Sequence, residues 1–219
     1  MKYLFDKQLQ EADFIVLTKL DTLPAERTQK LLQEMARQNP GSQVVGISAL
    51  RGEGLDHWRN LVQTTPPGEH WLKDIDYHKY AEAEAEMGWL NGTATLTFPA
   101  PVEGKNISAA LVEGFGQAIS KHQGRIGHMK ILAVGSTGSV KVGLTHVTEK
   151  PEVEGAFTAP LSHLQLTINM RATLSPGDLA AIVQQVIDHL KESHKAVADI
   201  STLNTFRPGE PRPTHRYAQ

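Results

Sequence analysis

Two short apolar runs, separated by one helix-forming segment, constrain the fold more than any other feature. The runs Phe14-Ile15-Val16-Leu17 and Val44-Val45-Gly46-Ile47 contain no polar residue that could face solvent. Such runs are typical of parallel strands that are covered on both faces. Between them, Pro24 favours a helix start, and Leu31 and Met35 lie at helical spacing. The order strand, helix, strand therefore predicts an α/β unit with two parallel strands.

A polar loop follows each predicted strand, and the first loop reads Thr18-Lys19-Leu20-Asp21. The carboxyl ends of parallel strands meet at one edge of a sheet, where ligands bind. The Asp21 carboxylate could accept hydrogen bonds from the N1 and N2 donors of guanine, which adenine does not offer. The stem of Lys19 could cover the base, and Thr18 could brace the loop. The alternative is an ordinary strand-to-helix loop, because T-K-x-D also occurs by chance.

The second loop, Ser48-Ala49-Leu50-Arg51-Gly52-Glu53-Gly54-Leu55, resembles the S-A-x-x-G-x-G-[LI] segment of many GTPases. That resemblance implies that the backbone N–H of Ala49 meets guanine O6. Together the two loops predict half of a guanine-nucleotide site. Its candidate residues are Thr18, Lys19, Asp21, Ser48, Ala49 and Leu50.

A phosphate-binding loop of the form G-x-x-x-x-G-K-[ST] does not occur in the 219 residues. The nearest sequence, residues 135–141, lies between two predicted strands and is better explained as a hairpin turn. Phosphates supply most of the affinity for a nucleotide. We therefore expect the chain alone to bind GTP weakly and to hydrolyse it negligibly.

The pattern changes after Thr64-Thr65-Pro66-Pro67-Gly68, where residues 94–98 alternate as in a half-buried strand. Helical spacing over residues 107–119, a hairpin around residues 135–138, a strand over residues 164–170 and a helix from Ser175 follow. This order predicts an α+β domain, β-α-β-β-β-α, with two helices covering one sheet face. The predicted divisions are a GTPase half at 1–63, a linker at 64–70, the α+β domain at 71–204 and a proline-rich basic tail at 205–219.

His128 and His146 are equidistant from Thr137 in the predicted hairpin. In a hairpin symmetric about Thr137 the two imidazoles would lie opposite each other and could share a metal ion. The alternative is a pair of solvated or hydrogen-bonded histidines, since two imidazoles do not complete a zinc site.

Composition excludes several kinds of partner. The chain has no cysteine, which excludes disulfides and thiolate metal sites. A net charge of -2 gives no electrostatic case for nucleic acid or an anionic membrane, and the predicted strands lack an exposed aromatic pair for base stacking. No apolar run approaches the roughly 18 residues of a membrane span. We expect a cytoplasmic protein that binds neither nucleic acid nor a membrane.

Four segments of the chain resemble the CobW-like, cobalamin-synthesis-related family of P-loop GTPases. They are residues 4–13 with the following LTKLD, the S-A-x-x-G-x-G-L loop, residues 76–80 with Gly88-Trp89-Leu90-Asn91, and the ending F-R-P-G-x-P-x-P-T-H-R. Family members begin with a P-loop, switch segments and a magnesium-binding acid. The resemblance therefore implies that this sequence is the C-terminal portion of such a protein.

The same resemblance implies a function and partners. Intact relatives use GTP and magnesium to deliver or insert a transition metal or cobalamin cofactor. The expected partners are a metalloenzyme or corrinoid-protein client, or the missing N-terminal GTPase half. The alternative function is a non-enzymatic module that binds such a client.

Overall fold

The computed structural model describes residues 2–66, 68 and 75–209. The chain divides into two compact units, the first ending at Ala83 and the second beginning at Glu84. The first contains a parallel pair of strands with helices, and the second contains an antiparallel sheet with helices. In the part of the chain that is described, no helix has the length and apolarity to cross a membrane.

The first unit confirms the predicted order of strand, helix and strand. Phe14 pairs with Gln43 and Leu17 with Gly46 in a parallel register. The helix between the strands ends at Gln38, before Asn39-Pro40, because proline cannot continue a helix; the Asn39 N–H donates to the Met35 carbonyl. That this unit is part of a P-loop GTPase domain stays a prediction. Its elements are α1 (Lys2–Glu11), β1 (Phe14–Leu17), α2 (Ala25–Gln38), β2 (Gln43–Gly46) and α3 (Leu55–Thr64), and α4 (Tyr77–Ala85) runs across the boundary into the second unit.

The second unit is one six-stranded antiparallel sheet with two helices. Its strand order is β6-β5-β4-β7-β3-β8. The elements are β3 (Gly88–Val102), α5 (Gly104–Lys121), β4 (Ile126–Gly135), β5 (Gly138–Leu144), β6 (Glu152–Phe157), β7 (Leu161–Ala172), α6 (Pro176–His194) and β8 (Val197–Phe206). The predicted start of α6 is confirmed, because the Ser175 Oγ accepts the backbone N–H of Asp178 at 3.1 Å.

One face of this sheet forms the core. Alternate residues such as Leu90 and Leu96 on β3 point inward and are fully buried. They join one apolar cluster with Phe115 of α5 and Leu179 of α6. Both helices therefore cover the same face, as the sequence predicts, and the side chains between the inward positions lie on the opposite face.

The predicted order β-α-β-β-β-α is wrong by two strands. It omits β6 and β8, which are the two edges of the sheet. Edge strands bury little of either face, so their residues lack the clear alternation that marked β3 and β7. For the same reason Thr205 and Phe206, assigned to the tail, belong to β8. The predicted linker begins inside α3 at Thr64, and residues 67, 69–74 and 210–219 lie outside the described part of the chain.

Candidate guanine-base site

The loop after β1 turns sharply at Lys19. This residue has the left-handed conformation, with φ 61° and ψ 38°. A non-glycine residue rarely adopts this conformation, and here hydrogen bonds hold it. The backbone N–H of Thr22 donates to the Lys19 carbonyl at 3.0 Å, and the Thr22 Oγ1 hydroxyl donates to the same oxygen at 2.8 Å. The turn leads into the short helix Leu20–Thr22, which contains Asp21.

The loop after β2 folds back on itself. The backbone N–H of Ser48 donates to the Glu53 carbonyl at 2.9 Å. Gly52 and Gly54 both have φ +76°. At Gly54 a Cβ atom would lie 2.3 Å from the Gly46 carbonyl oxygen, so only glycine fits without a shift of backbone. The loop is therefore held against the end of β2.

Backbone hydrogen bonds connect the two loops. The N–H of Ile47 donates to the Leu17 carbonyl at 2.9 Å, and the N–H of Leu20 donates to the Ile47 carbonyl at 3.2 Å. These bonds continue the pairing of β1 and β2 beyond the last residues of the strands. The first residues of both loops are thus fixed relative to each other.

A side-chain hydrogen bond joins the loops at the candidate site. The Ser48 hydroxyl donates to the Asp21 Oδ1 atom at 2.5 Å, and the same Ser48 oxygen accepts the backbone N–H of Arg51 at 3.2 Å. Ser48 is fully buried, which fixes the bond in place. The hydrogen bond from Ser48 lowers the pKa of Asp21, and the positive charges of Arg51 and Lys19 lower it further. Asp21 is therefore an ionised, oriented acceptor at neutral pH.

The structure places the six candidate residues at one edge of the strand pair. Thr18 and Lys19 are exposed, and Asp21 is half-buried. Ala49 is exposed as well, and Leu50 is 84% exposed. Ser48, by contrast, is buried, so its geometry suits it to positioning Asp21. Sequence reasoning did not identify the backbone contact between Ser48 and Glu53, because no side-chain pattern marks such a contact.

The predicted opposition of His128 and His146 is wrong. Gly135 pairs with Gly138, so the hairpin is centred between Ser136 and Thr137 rather than on Thr137. β5 ends at Leu144, before His146, whose Nδ1 atom lies 2.8 Å from the Thr148 hydroxyl.

Metal binding by these histidines stays an untested prediction. His128 pairs across the sheet with Arg171 on β7 instead of facing His146. Within residues 2–66, 68 and 75–209, no group of three or more histidine or carboxylate side chains is placed to hold a metal ion.

Comparisons with known proteins give only low similarity. No protein-family model and no curated protein matches the chain. Among solved structures, a hydantoinase/carbamoylase family amidase from Burkholderia ambifaria is 11% identical with a TM-score of 0.31, over 56% of this chain and 29% of the amidase. The Zn(II)-bound YjiA GTPase from E. coli, a CobW-family protein, is 15% identical with a TM-score of 0.29, over 82% of this chain and 53% of the GTPase. This chain thus spans about half of that GTPase. These values assign neither a family nor an activity to this chain.

Proposed function

We propose that the two loops form the base-binding half of a guanine-nucleotide site, in the C-terminal portion of a CobW-like GTP-binding protein. The hydrogen bond from Ser48 to Asp21 supports this most directly, because it aligns an ionised carboxylate at the sheet edge where a base would lie.

Each proposed role follows from the chemistry of guanine. The Asp21 carboxylate accepts the N1–H and N2–H groups, and Ser48 keeps it oriented. The stem of the exposed Lys19 covers one face of the base. The backbone N–H of the exposed Ala49 donates to O6, while Thr18 and Leu50 border the base. Adenine presents neither the donor pair nor O6, so these groups select guanine.

The wider role rests on the sequence resemblance alone. An intact relative would add the P-loop and magnesium that hold the phosphates, and would deliver a metal or cobalamin cofactor to a metalloenzyme or corrinoid protein. The present chain supplies the contacts to the base. Guanosine, GDP and GTP should therefore bind to it with similar, weak affinity, and magnesium should have little effect.

Titrations followed by NMR test the base-binding site. We expect the backbone amides of Lys19, Asp21 and Ala49 to shift with guanosine but not with adenosine. Asp21→Asn keeps an oxygen that can accept from Ser48, but it replaces one acceptor with an amide donor. The Asp21→Asn variant should therefore lose binding of guanosine and gain binding of xanthosine, because the C2 carbonyl of xanthosine requires a hydrogen-bond donor.

A matched variant provides the control. Asp56→Asn removes a carboxylate with a side-chain exposure of 92% on α3, and it should leave the guanosine shifts unchanged. Equal shifts with guanosine and adenosine, or an Asp21→Asn variant with unaltered base preference, would refute the assignment. Micromolar, magnesium-dependent binding of GTP would refute the claim that the chain binds only the base.

A further inference from the structure

The face of the six-stranded sheet opposite α5 and α6 carries a row of aromatic and basic side chains. β8, β3, β7 and β4 are neighbours, and their register aligns Phe206, Trp89, Arg171 and His128. These four residues are called the aromatic–basic row below. They alternate with core residues such as Leu90 and Met170, so they lie on the face that α5 and α6 do not cover.

The row begins with an aromatic pair. The ring centroids of Trp89 and Phe206 lie 5.7 Å apart, with an angle of 44° between the planes. Phe206 is 41% exposed. Trp89 is only half-buried rather than exposed, so the expectation that the strands lack an exposed aromatic pair stays a prediction. The two residues are distant in sequence, and only the pairing of β3 with β8 makes them neighbours.

The other end of the row is basic. The Arg171 Cζ atom lies 3.6 Å from the centroid of the Trp89 ring, a contact in which the cation lies over the indole. Lys130 is exposed one row further along β4, two residues from His128. Burial lowers the pKa of His128 first, and the positive charges of Lys130 and Arg171 lower it further.

These cations have no anionic partner among the described residues. No ion pair within 4.0 Å involves Arg171 or Lys130 there, whereas Lys141 on the same face pairs with Glu154 at 2.7 Å. The Arg171 Nε and Trp89 Nε1 atoms are also buried without a hydrogen-bond partner. The partly buried guanidinium of Arg171, whose Nε lacks a hydrogen-bond partner, would gain a charge-assisted hydrogen bond from an anionic ligand.

Uncharged hydrogen-bonding side chains fill the next two rows of the same face. Asn204, Asn91 and Asn169 form one row, and Thr202, Thr93 and Thr167 form the next. Amides and hydroxyls both donate and accept, which suits base edges and sugar hydroxyls. An acidic peptide could use the cations, but it would leave the aromatic pair without a planar group to stack on it.

We propose that this face binds single-stranded nucleic acid. A phosphodiester contacts Arg171 and Lys130, a base stacks on Phe206 beside Trp89, and the asparagine and threonine rows contact sugars and base edges. The aromatic–basic row crosses four strands, or about 14 Å at the usual strand spacing, which exceeds the reach of one mononucleotide. The net charge of -2 is a sum over the whole chain and does not by itself oppose a local contact of a phosphodiester with Arg171 and Lys130.

Fluorescence anisotropy with labelled ten-residue oligouridylate and oligothymidylate at low salt tests the proposal. Arg171→Gln should weaken binding at least tenfold, and Lys130→Gln should reduce the magnitude of the salt slope by about 0.7, the contribution of one phosphate contact to a single strand. Phe206→Ala should weaken binding about fivefold or more through lost stacking. Lys141→Gln, which removes a paired lysine from the same face, should change binding less than twofold.

The outcomes separate this site from the guanine-base site. Asp21→Asn should leave oligonucleotide binding unchanged, so either proposal can fail without the other. If Arg171→Gln does not fold, the exposed Lys130→Gln variant decides the matter. The proposal is overturned if neither oligonucleotide binds, if uridine monophosphate binds as tightly as the ten-residue strand, or if an acidic peptide binds more tightly with the same sensitivity to Arg171.

Discussion

Replacing Gly52 and Gly54 by alanine, one at a time, tests how the second loop is held against β2. Both residues have φ +76°, so alanine at either position is strained by the left-handed backbone. Their surroundings differ. A Cβ atom at Gly52 meets no atom within 4 Å, whereas a Cβ atom at Gly54 would lie 2.3 Å from the Gly46 carbonyl oxygen.

The expected destabilisation follows from this difference. Gly52→Ala should cost only the conformational term, roughly 1–2 kcal/mol. Gly54→Ala must also displace the β2 backbone, and overpacking of this kind typically adds roughly 1–3 kcal/mol to the loss of stability. Since about 1.4 kcal/mol corresponds to a factor of ten in an equilibrium, Gly54→Ala should open the first unit about fivefold or more beyond Gly52→Ala.

Amide hydrogen exchange measures that opening. The N–H of Ile47, which donates to the Leu17 carbonyl, reports on the first unit, and the fully buried Ile131 of β4 provides an internal reference in the second. We expect faster exchange at Ile47 in Gly54→Ala and an unchanged rate at Ile131. Equal acceleration at Ile47 in the two variants would refute the steric argument and leave only the backbone conformation as the cause.

Two further predictions concern the second unit. Phe115 lies in the fully buried core, so Phe115→Ala should lower the free energy of unfolding by about 3–5 kcal/mol and lower the urea midpoint. Val197 is 67% exposed, so Val197→Ala should change that free energy by less than about 0.5 kcal/mol. Similar losses in the two variants would contradict the assigned core. The pKa of His128 in the folded protein lies below the ordinary value of 6.5, so folding favours the neutral imidazole. The resulting stability is present above pH 6.5 and is lost as the pH falls from 6.5 through the pKa of the folded protein. Lys130→Gln should raise the pKa of His128 in an NMR titration, and an unchanged value would exclude the lysine charge as a cause.

Sequence patterns predicted the elements that are buried. The runs at β1 and β2 and the alternation in β3 identified strands because those residues must leave water, and the spacing in α5 and α6 identified helices for the same reason. The edge strands β6 and β8 were missed, since an edge strand has little apolar area to mark it. Of the candidate site, the sequence identified Asp21 and Ser48 separately, each from the motif that contains it.

The sequence by itself determined which residues are apolar and where the chain turns. It also determined that a carboxylate follows one buried strand. Tertiary structure alone decided which of these residues meet. The register of β4 with β5 separated His128 from His146, and the pairing of β3 with β8 placed Trp89 beside Phe206. Likewise, pairing of β1 with β2 put the Ser48 hydroxyl on Asp21. A shift of one residue in register moves a side chain to the other face of a sheet, and local composition does not encode that shift.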